Sequence, residues 1–190
     1  MNFRHPGRAV KRRQVLVSTG AIILGAAGPE TAHAVATDRQ LVFSTLVQAM
    51  QEVKALAGVR SLNSSTEWTF AQTLVHAAQS IEYSMTGFPQ PKSSLFQHTV
   101  GAAAFAVFDL RGRMSHGLAE PIPGAPALDA ATETYQALER LEIAVARFHA
   151  WSSALKPHFA YGELSKPAYE RAHAMHLANH LSAFSADSVS

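Results

Sequence analysis

Apolar side chains recur at steps of three and four along most of this 190-residue chain. That period is typical of α-helices that bury one face. It predicts helices over about residues 38–57, 68–83, 93–112, 130–154 and 167–184. No alternation of apolar and polar residues strong enough to predict a β-strand stands out. The pattern therefore predicts an all-α bundle that forms a single domain.

Short polar residues, glycine and proline mark the predicted helix ends. Asp38 is placed to cap the first helix, and Gly58 to end it. Residues 64–67, SSTE, contain the Ser-x-x-Glu pattern of a capping box, and Pro167 falls in the first turn of the last helix. Residues 113–128 contain three prolines and two glycines, which predicts a long loop. Such loops are often lids or binding loops, although a plain surface excursion fits equally well.

The first 34 residues have the composition of a cleavable export signal. A basic region ends at residues 11–13 (KRR), and the modest apolar stretch 15–28 follows. This stretch is too short and too rich in small residues to make a good membrane span. Residues 32–34 (AHA) place alanines at the −3 and −1 positions, which predicts cleavage before Val35. The mature domain would then be residues 35–190.

The arginine pair Arg12-Arg13 indicates the export route. RRQVL resembles the twin-arginine pattern, although Lys11 stands where Ser or Thr is usual and Val15 where Phe is usual. We therefore expect a periplasmic protein that is exported already folded. A Sec signal with a chance arginine pair is one alternative, and an uncleaved leader that anchors the protein to the membrane is another.

The charge balance argues against nucleic-acid binding. The first 34 residues hold 5 of the 16 basic residues and 1 of the 14 acidic ones, which leaves 11 basic against 13 acidic residues in the mature chain. A nucleic-acid-binding surface needs clustered positive charge, and the mature chain is slightly acidic. The chain also has no cysteine, which excludes disulfides and thiolate chemistry.

Three histidines share one face of the last predicted helix. His173, His176 and His180 lie in AHAMHLANHL, within about 60° of one another around the helix axis at 100° per residue. His176 and His180, one turn apart, are spaced to chelate a single metal ion. His173 lies too far from His180 to share an ion comfortably, so it is an alternative ligand beside His176 or a residue just outside the ligands.

His76 is the candidate third ligand. It sits among apolar residues in the second predicted helix, where a neutral imidazole needs a hydrogen-bond partner or a metal. Three imidazoles from two facing helices would leave positions open for water or substrate, and zinc, nickel and iron all accept such ligands. Other histidines compete without any local signal in their favour: His98, His116, His149 and His158. Two carboxylates, Glu82 and Glu170, lie nearby along the helices, but neither is well placed to act as a general base.

Several stretches of the chain resemble the DinB/YfiT-like superfamily of metalloenzymes. They are WTFAQTLVHAAQSIEYSMTGFP, LFQHTVG, EPIPGAP and AHAMHLANHL, and the whole resemblance spans about residues 40–184. Within that superfamily the chain looks like a branch described only as a domain of unknown function. The resemblance implies a four-helix bundle with a metal held by three histidines, which correspond to His76, His176 and His180. The segment at 93–112 would then be an extra helix, or a core helix with another displaced.

The resemblance implies metal-assisted hydrolysis or transfer on a small molecule, without naming the substrate. Related bundles often dimerise, so a homodimer is a further expectation. Thiol transfer fits poorly with export, because low-molecular-weight thiols are chiefly cytoplasmic. The alternative is a non-catalytic exported bundle whose histidines hold a structural metal, a ligand or nothing.

Overall fold

The computed structural model of the protein describes residues 38–187. The predicted export signal, its cleavage site before Val35 and the possible membrane anchor lie outside these described residues. Within them, no helix is both long enough and apolar enough to cross a bilayer.

Helices account for most of the described chain, as the apolar periodicity predicts. In chain order the elements are α1 (Leu46–Ala57), β1 (Leu62–Ser64), α2 (Phe70–Thr86), α3 (Ser94–Phe96), a π-helical turn (Gln97–Gly101), α4 (Ala102–Arg111), α5 (Thr134–Ala150), α6 (Lys166–Leu181) and β2 (Phe184–Ala186). The prediction of an all-α fold is confirmed.

Four of the helices form the bundle. Helices α1 and α2 each pack against both α5 and α6. The core between them contains large apolar side chains from every member, among them Leu46, Leu74, Leu141, Phe148 and Leu181. Burial of these side chains is the main source of stability for such a bundle.

Helices α2 and α6 are buried on nearly all sides. In α6 the buried residues include every position from Ala172 to Ala178, followed by His180 and Leu181. Alanines occupy three of these positions, so neighbouring elements can approach the helix closely. A helix buried all round has no solvent face on which to leave a polar side chain. His173, His176 and His180 are therefore buried in the interior of the bundle.

The structure differs from the sequence prediction at two helix starts. Helix α1 begins at Leu46 with Thr45 as its N-cap, and Asp38 lies in an irregular segment before it. The capping box belongs to Thr69 and Gln72 at the start of α2, not to residues 64–67. Gln has the same reach as Glu in this motif, so Thr69-x-x-Gln72 satisfies it equally well.

The structure also contains two short strands that the sequence analysis did not predict. Residues Leu62–Ser64 pair antiparallel with Phe184–Ala186, and the pairing holds the segment after α6 against the connection between α1 and α2. Three residues are too few to show an alternating pattern, so the apolar periodicity could not reveal them.

The helical segment between Ser94 and Arg111 lies outside the four-helix core, and is therefore the extra element. It contacts α6 through a second apolar cluster, which comprises Phe105, Met114, Ala168, Ala172 and Met175. Arg171 of α6 forms two hydrogen bonds to the Asp109 carboxylate, at 2.6 and 2.9 Å. Within the segment, the π-helical turn brings Gly101 directly against the carbonyl oxygen of Ala160.

We predict that Gly101→Ala destabilises the fold. A Cβ at this position would overlap the backbone of Ala160, which has no flexible end that could move away. The expected loss is about 2–3 kcal/mol in the free energy of unfolding. Gly58→Ala is the matched control, because its nearest atoms are 3.6 Å away, and it should change stability by less than about 0.5 kcal/mol. Urea unfolding of both variants would measure this, and equal stabilities would contradict the close packing at Gly101.

Candidate metal centre

The packing of α2 against α6 brings three predicted ligands together. His76 projects from α2, and His176 and His180 project from successive turns of α6. The Nε2 atoms of His76 and His176 are 3.0 Å apart. One nitrogen from each of the three rings lies within 4.8 Å of the others. A single ion with bonds of about 2.0–2.1 Å can reach nitrogens at such separations.

Burial keeps these imidazoles uncharged. It is the main cause that lowers the pKa of His76 to about 4, with a further contribution from the nearby His116 ring. Burial first, and then the neighbouring histidines, hold the pKa values of His176 and His180 well below their usual 6.5. Metal ligation requires neutral imidazole, so the rings are in the correct protonation state at neutral pH.

The surroundings of the rings fit a metal with one exception. The buried His180 Nε2 has no hydrogen-bond partner in the described chain, and the ring lies close to the backbone of Leu118. An orphaned buried nitrogen is costly unless a ligand satisfies it. The indole of Trp68 stacks on His180 at 6.0 Å and covers the cluster. The exception is His76 Nδ1, which is also without a partner, although metal-bound histidines usually donate from the second nitrogen.

A fourth histidine comes from the proline- and glycine-rich loop. The ring of His116 lies 5.1 Å from that of His176 and 4.9 Å from that of His180. Its Nδ1 is 3.0 Å from the carbonyl oxygen of Gly117, which assigns the proton to Nδ1 and leaves Nε2 free to act as a ligand. His116 does not belong to the group of three nitrogens described above.

His173 lies beside the cluster instead of within it. Its ring stacks on Tyr169 at 5.4 Å and meets the edge of Phe148 at 5.3 Å. Burial lowers its pKa to about 3, and its Nε2 has no hydrogen-bond partner among residues 38–187. Of the two roles predicted for His173, the structure fits the residue just outside the ligands.

A cavity of about 110 Å³ opens beside the histidine cluster. Helix α2 contributes His76 and Ser80 to its wall, and α6 contributes His173 and His176. The 113–128 loop and the segment after α5 form the remaining walls through Met114, His116, Glu120, Pro121, Ile122, His158, Phe159 and Tyr161. The long loop is therefore part of the site, which agrees with its interpretation as a binding loop.

The other candidate side chains from the sequence lie outside the site, and a carboxylate that the sequence analysis did not name lines the cavity. Glu82 is bound to Arg140 and Glu170 to His149, so neither carboxylate serves the site. Exposed His98 bonds back to the carbonyl of Ser94. The carboxylate that lines the cavity belongs to Glu120, which follows His116 by four residues in the same loop.

The sequence analysis gave His116 and His158 no more weight than the other histidines, and it did not single out Glu120. All three lie in segments without a helical period, so no spacing rule could connect them with His76 or His176. The one available signal was the density of histidine, proline and glycine near residue 116.

Comparisons with known proteins give a family but no activity. The sequence model described as "Protein of unknown function (DUF1569)" matches residues 35–187. Neither the curated proteins nor the solved structures contain a significant match to this chain.

We predict that the metal-free protein loses stability as the pH falls below about 6.5. The unfolded chain takes up protons on its histidines near that pH, whereas folded His173 resists protonation down to about pH 3. The folded state therefore binds fewer protons, and its stability, complete above pH 6.5, declines towards pH 3. Each such histidine contributes about 1.4 kcal/mol per pH unit in this range.

Urea unfolding between pH 7.5 and 4.5 would measure the slope, with His173→Gln as the comparison. In the variant, the decline of the free energy of unfolding with falling pH should be shallower by the contribution of one histidine, about 1.4 kcal/mol per pH unit. An identical slope in both proteins would show that His173 is not the buried neutral base described above.

Proposed function

We propose that this chain, which belongs to the DUF1569 family of proteins of unknown function, binds one divalent metal ion through His76, His176 and His180. The bound metal would serve a hydrolytic or group-transfer reaction on a small molecule. One observation carries the proposal: three neutral imidazole nitrogens converge within 4.8 Å beside a cavity. The resemblance to DinB-like metalloenzymes supports the same proposal of a metal site.

The donor set narrows the choice of metal. Three imidazoles without a carboxylate or thiolate favour zinc, nickel or iron over magnesium and calcium, which prefer oxygen. Such an ion polarises a carbonyl or lowers the pKa of water, which is the chemistry that hydrolysis and acyl transfer require. Three protein ligands are also the number typical of catalytic zinc sites, which keep one position open.

The residues around the cavity would bind the substrate and exclude water. Trp68 stacks on His180, and the loop residue His116 packs against both His176 and His180. Asn179 donates a hydrogen bond to the carbonyl of His116 at 3.3 Å and ties the loop to α6. Glu120 is the cavity-lining carboxylate and therefore the candidate to accept a proton during the reaction.

Export is part of the proposal and follows from the leader alone. A twin-arginine route would carry the folded domain with its metal already bound, to act in the periplasm. Retention of an uncleaved leader would instead place the same site at the membrane surface.

The position of His116 favours a second candidate function. If its Nε2 completes a four-histidine site, no ligand position remains for substrate, and the metal is structural. The ring distances of about 5 Å to His176 and His180 make this arrangement accessible with a small loop movement. The protein would then be a non-catalytic bundle stabilised by its metal.

We predict that the untagged protein contains close to one divalent ion per chain. His176→Ala should reduce the metal content to below about a tenth, because two ligands hold an ion far more weakly than three. His98→Ala is the matched control, since His98 is exposed and lies outside the site, and it should retain the metal. Mass spectrometry of metals would measure all three proteins.

Stability provides an independent check of the same prediction. A hundredfold excess of free metal over Kd should raise the melting temperature of the wild type by about 5–10 °C and leave His176→Ala unchanged. Absence of metal from the wild type, even after reconstitution, would contradict the proposal.

We further predict that His116→Ala keeps the metal, with an affinity within about tenfold of the wild type, below the roughly 10–100-fold loss typical of residues that hydrogen-bond to ligands, because His116 is outside the three-histidine group and its hydrogen bond goes to Gly117. Competition with a coloured chelator would measure the affinity. A loss as large as that of His176→Ala would make His116 a ligand and favour the structural site.

A further inference from the structure

The segment after α5 folds into a tight loop around His158. The backbone N–H of His158 donates to the carbonyl of Gly162 at 2.7 Å, and the N–H of Gly162 returns the bond at 3.1 Å. Gly162 has a φ of +75°, a conformation that favours glycine. The loop thus closes on itself and encloses a buried imidazole that the proposed metal site does not use.

The backbone of this loop fixes the tautomer of His158. Its Nδ1 accepts hydrogen bonds from the backbone N–H groups of Ala160 at 3.1 Å and Tyr161 at 3.2 Å. A nitrogen that accepts from two N–H groups cannot carry a proton, so the proton of the neutral ring belongs to Nε2. Nε2 is then a permanent donor, and it has no hydrogen-bond partner within the described part of the chain.

The ring is also held in position from both sides. It stacks on Tyr161 at 4.2 Å with an interplanar angle of 6°, and Phe88 meets it edge-on at 4.9 Å. Gln97 of the π-helical turn donates to the carbonyls of His158 and Phe159 at 3.4 and 3.2 Å. π-Helical turns often occur at functional sites, and this one supports the loop that orients His158.

His158 shares its cavity with the proposed metal ligands. His76 and His176 line one part of the cavity wall, and His158, Phe159 and Tyr161 line another. We propose that His158 is a substrate-positioning residue whose Nε2–H donates a hydrogen bond to the carbonyl oxygen of a small acyl compound, such as a short amide or ester. This inference rests on the proposed function for the reacting end of that compound, which would lie at the three histidines.

The size and walls of the cavity define the substrate class. A dry cavity of about 150 Å³ can hold benzene, so about 110 Å³ accommodates roughly four to six non-hydrogen atoms. Met114, Ile122 and Phe159 offer apolar surface to an alkyl group. The neutral donor at His158 suits a carbonyl acceptor, and a neutral imidazole can serve as an electrophile towards such a group.

The groups that face His158 preserve its neutral state. Burial is the main cause that lowers the pKa of His158 to about 3, and His173 from α6 and His116 from the long loop lower it further. Glu120 is the carboxylate on the same cavity wall. The donor role therefore persists across the physiological pH range.

His158→Asn separates the two functions of the side chain. The Asn Oδ1 can replace Nδ1 as the acceptor for the N–H groups of Ala160 and Tyr161, so the loop is retained. The Asn amide nitrogen then takes the place of the ring carbon Cδ2, and no donor remains at the position of Nε2. Acetamide is the probe, because it has four non-hydrogen atoms and a carbonyl. We expect it to bind the His158→Asn protein about tenfold more weakly than the wild type, as loss of one hydrogen bond implies.

Nuclear magnetic resonance of the full chain provides the readouts. In the wild type, the ¹⁵N shifts of His158 should report the Nε2–H tautomer, and acetamide should shift the Nε2 signal in a saturable manner. The Nδ1–H tautomer, an unshifted Nε2, or equal acetamide affinity in both proteins would overturn the inference. The tautomer and the wild-type titration decide the matter even if the variant fails to fold.

Metal content measured on the same samples keeps the two proposals apart. His158→Asn should bind as much metal as the wild type, because His158 is not among the three ligands. Absence of metal from both proteins would contradict the proposed function. The tautomer and the acetamide titration would still test the role of His158.

Discussion

The burial of uncharged imidazoles between α2 and α6 is the constraint on which the rest of the structure depends. The nitrogen atoms His76 Nδ1, His173 Nε2 and His180 Nε2 are buried without a protein partner in the described chain. Each such atom costs about 1–3 kcal/mol relative to a satisfied one. Apolar residues of similar size would avoid that cost in a bundle whose core is otherwise well filled. A bound metal would satisfy His180 Nε2, which favours interpreting the cluster as a metal site. It would not satisfy the other two atoms, because His173 lies outside the candidate ligands and His76 Nδ1 is the second nitrogen of a ring whose Nε2 faces His176.

The bundle and its loops contribute different parts of the site. Helices α2 and α6 supply the three candidate ligands from rigid, buried backbone, so their separation is set by core packing. The loops at 113–128 and 157–162 supply the walls, and both are anchored to helices: the first by Asn179 and the second by Gln97. Gly101 belongs to the same arrangement, because its missing side chain lets the second loop lie against the π-helical turn. A rigid ligand set with adaptable walls is common among enzymes, whose folds vary their substrates through loops.

Helical periodicity predicted the bundle and placed His76, His176 and His180 on helices that could face one another. The last helix is an exception to one-sided periodicity, because every position from Ala172 to Ala178 is buried; there Pro167 in the first turn and the spacing of the histidines indicated the helix. The periodicity failed at the start of α1, where residues 38–45 are irregular although their composition resembles that of the helix that follows. It could not connect His116 or His158 with the cluster, because loop conformations depend on contacts distant in sequence. The Ala160 and Tyr161 backbone bonds that fix the His158 tautomer are likewise a product of the folded loop alone.

The charge balance of the site constrains what it can bind. Three neutral imidazoles would leave the charge of the proposed divalent ion uncompensated, and burial would strengthen its field by excluding water. Glu120 lines the cavity but is itself exposed to solvent, so it offsets that charge only in part. A group that develops negative charge during reaction, such as a carbonyl oxygen under attack, would be stabilised by such a field more than the neutral ground state. A neutral donor at His158 adds to that preference without repelling the metal, whereas a cationic residue at the same place would compete with the ion. Under the proposed function, the neutral protonation state of the surrounding histidines is thus the condition under which one small cavity would hold a metal and polarise a substrate together.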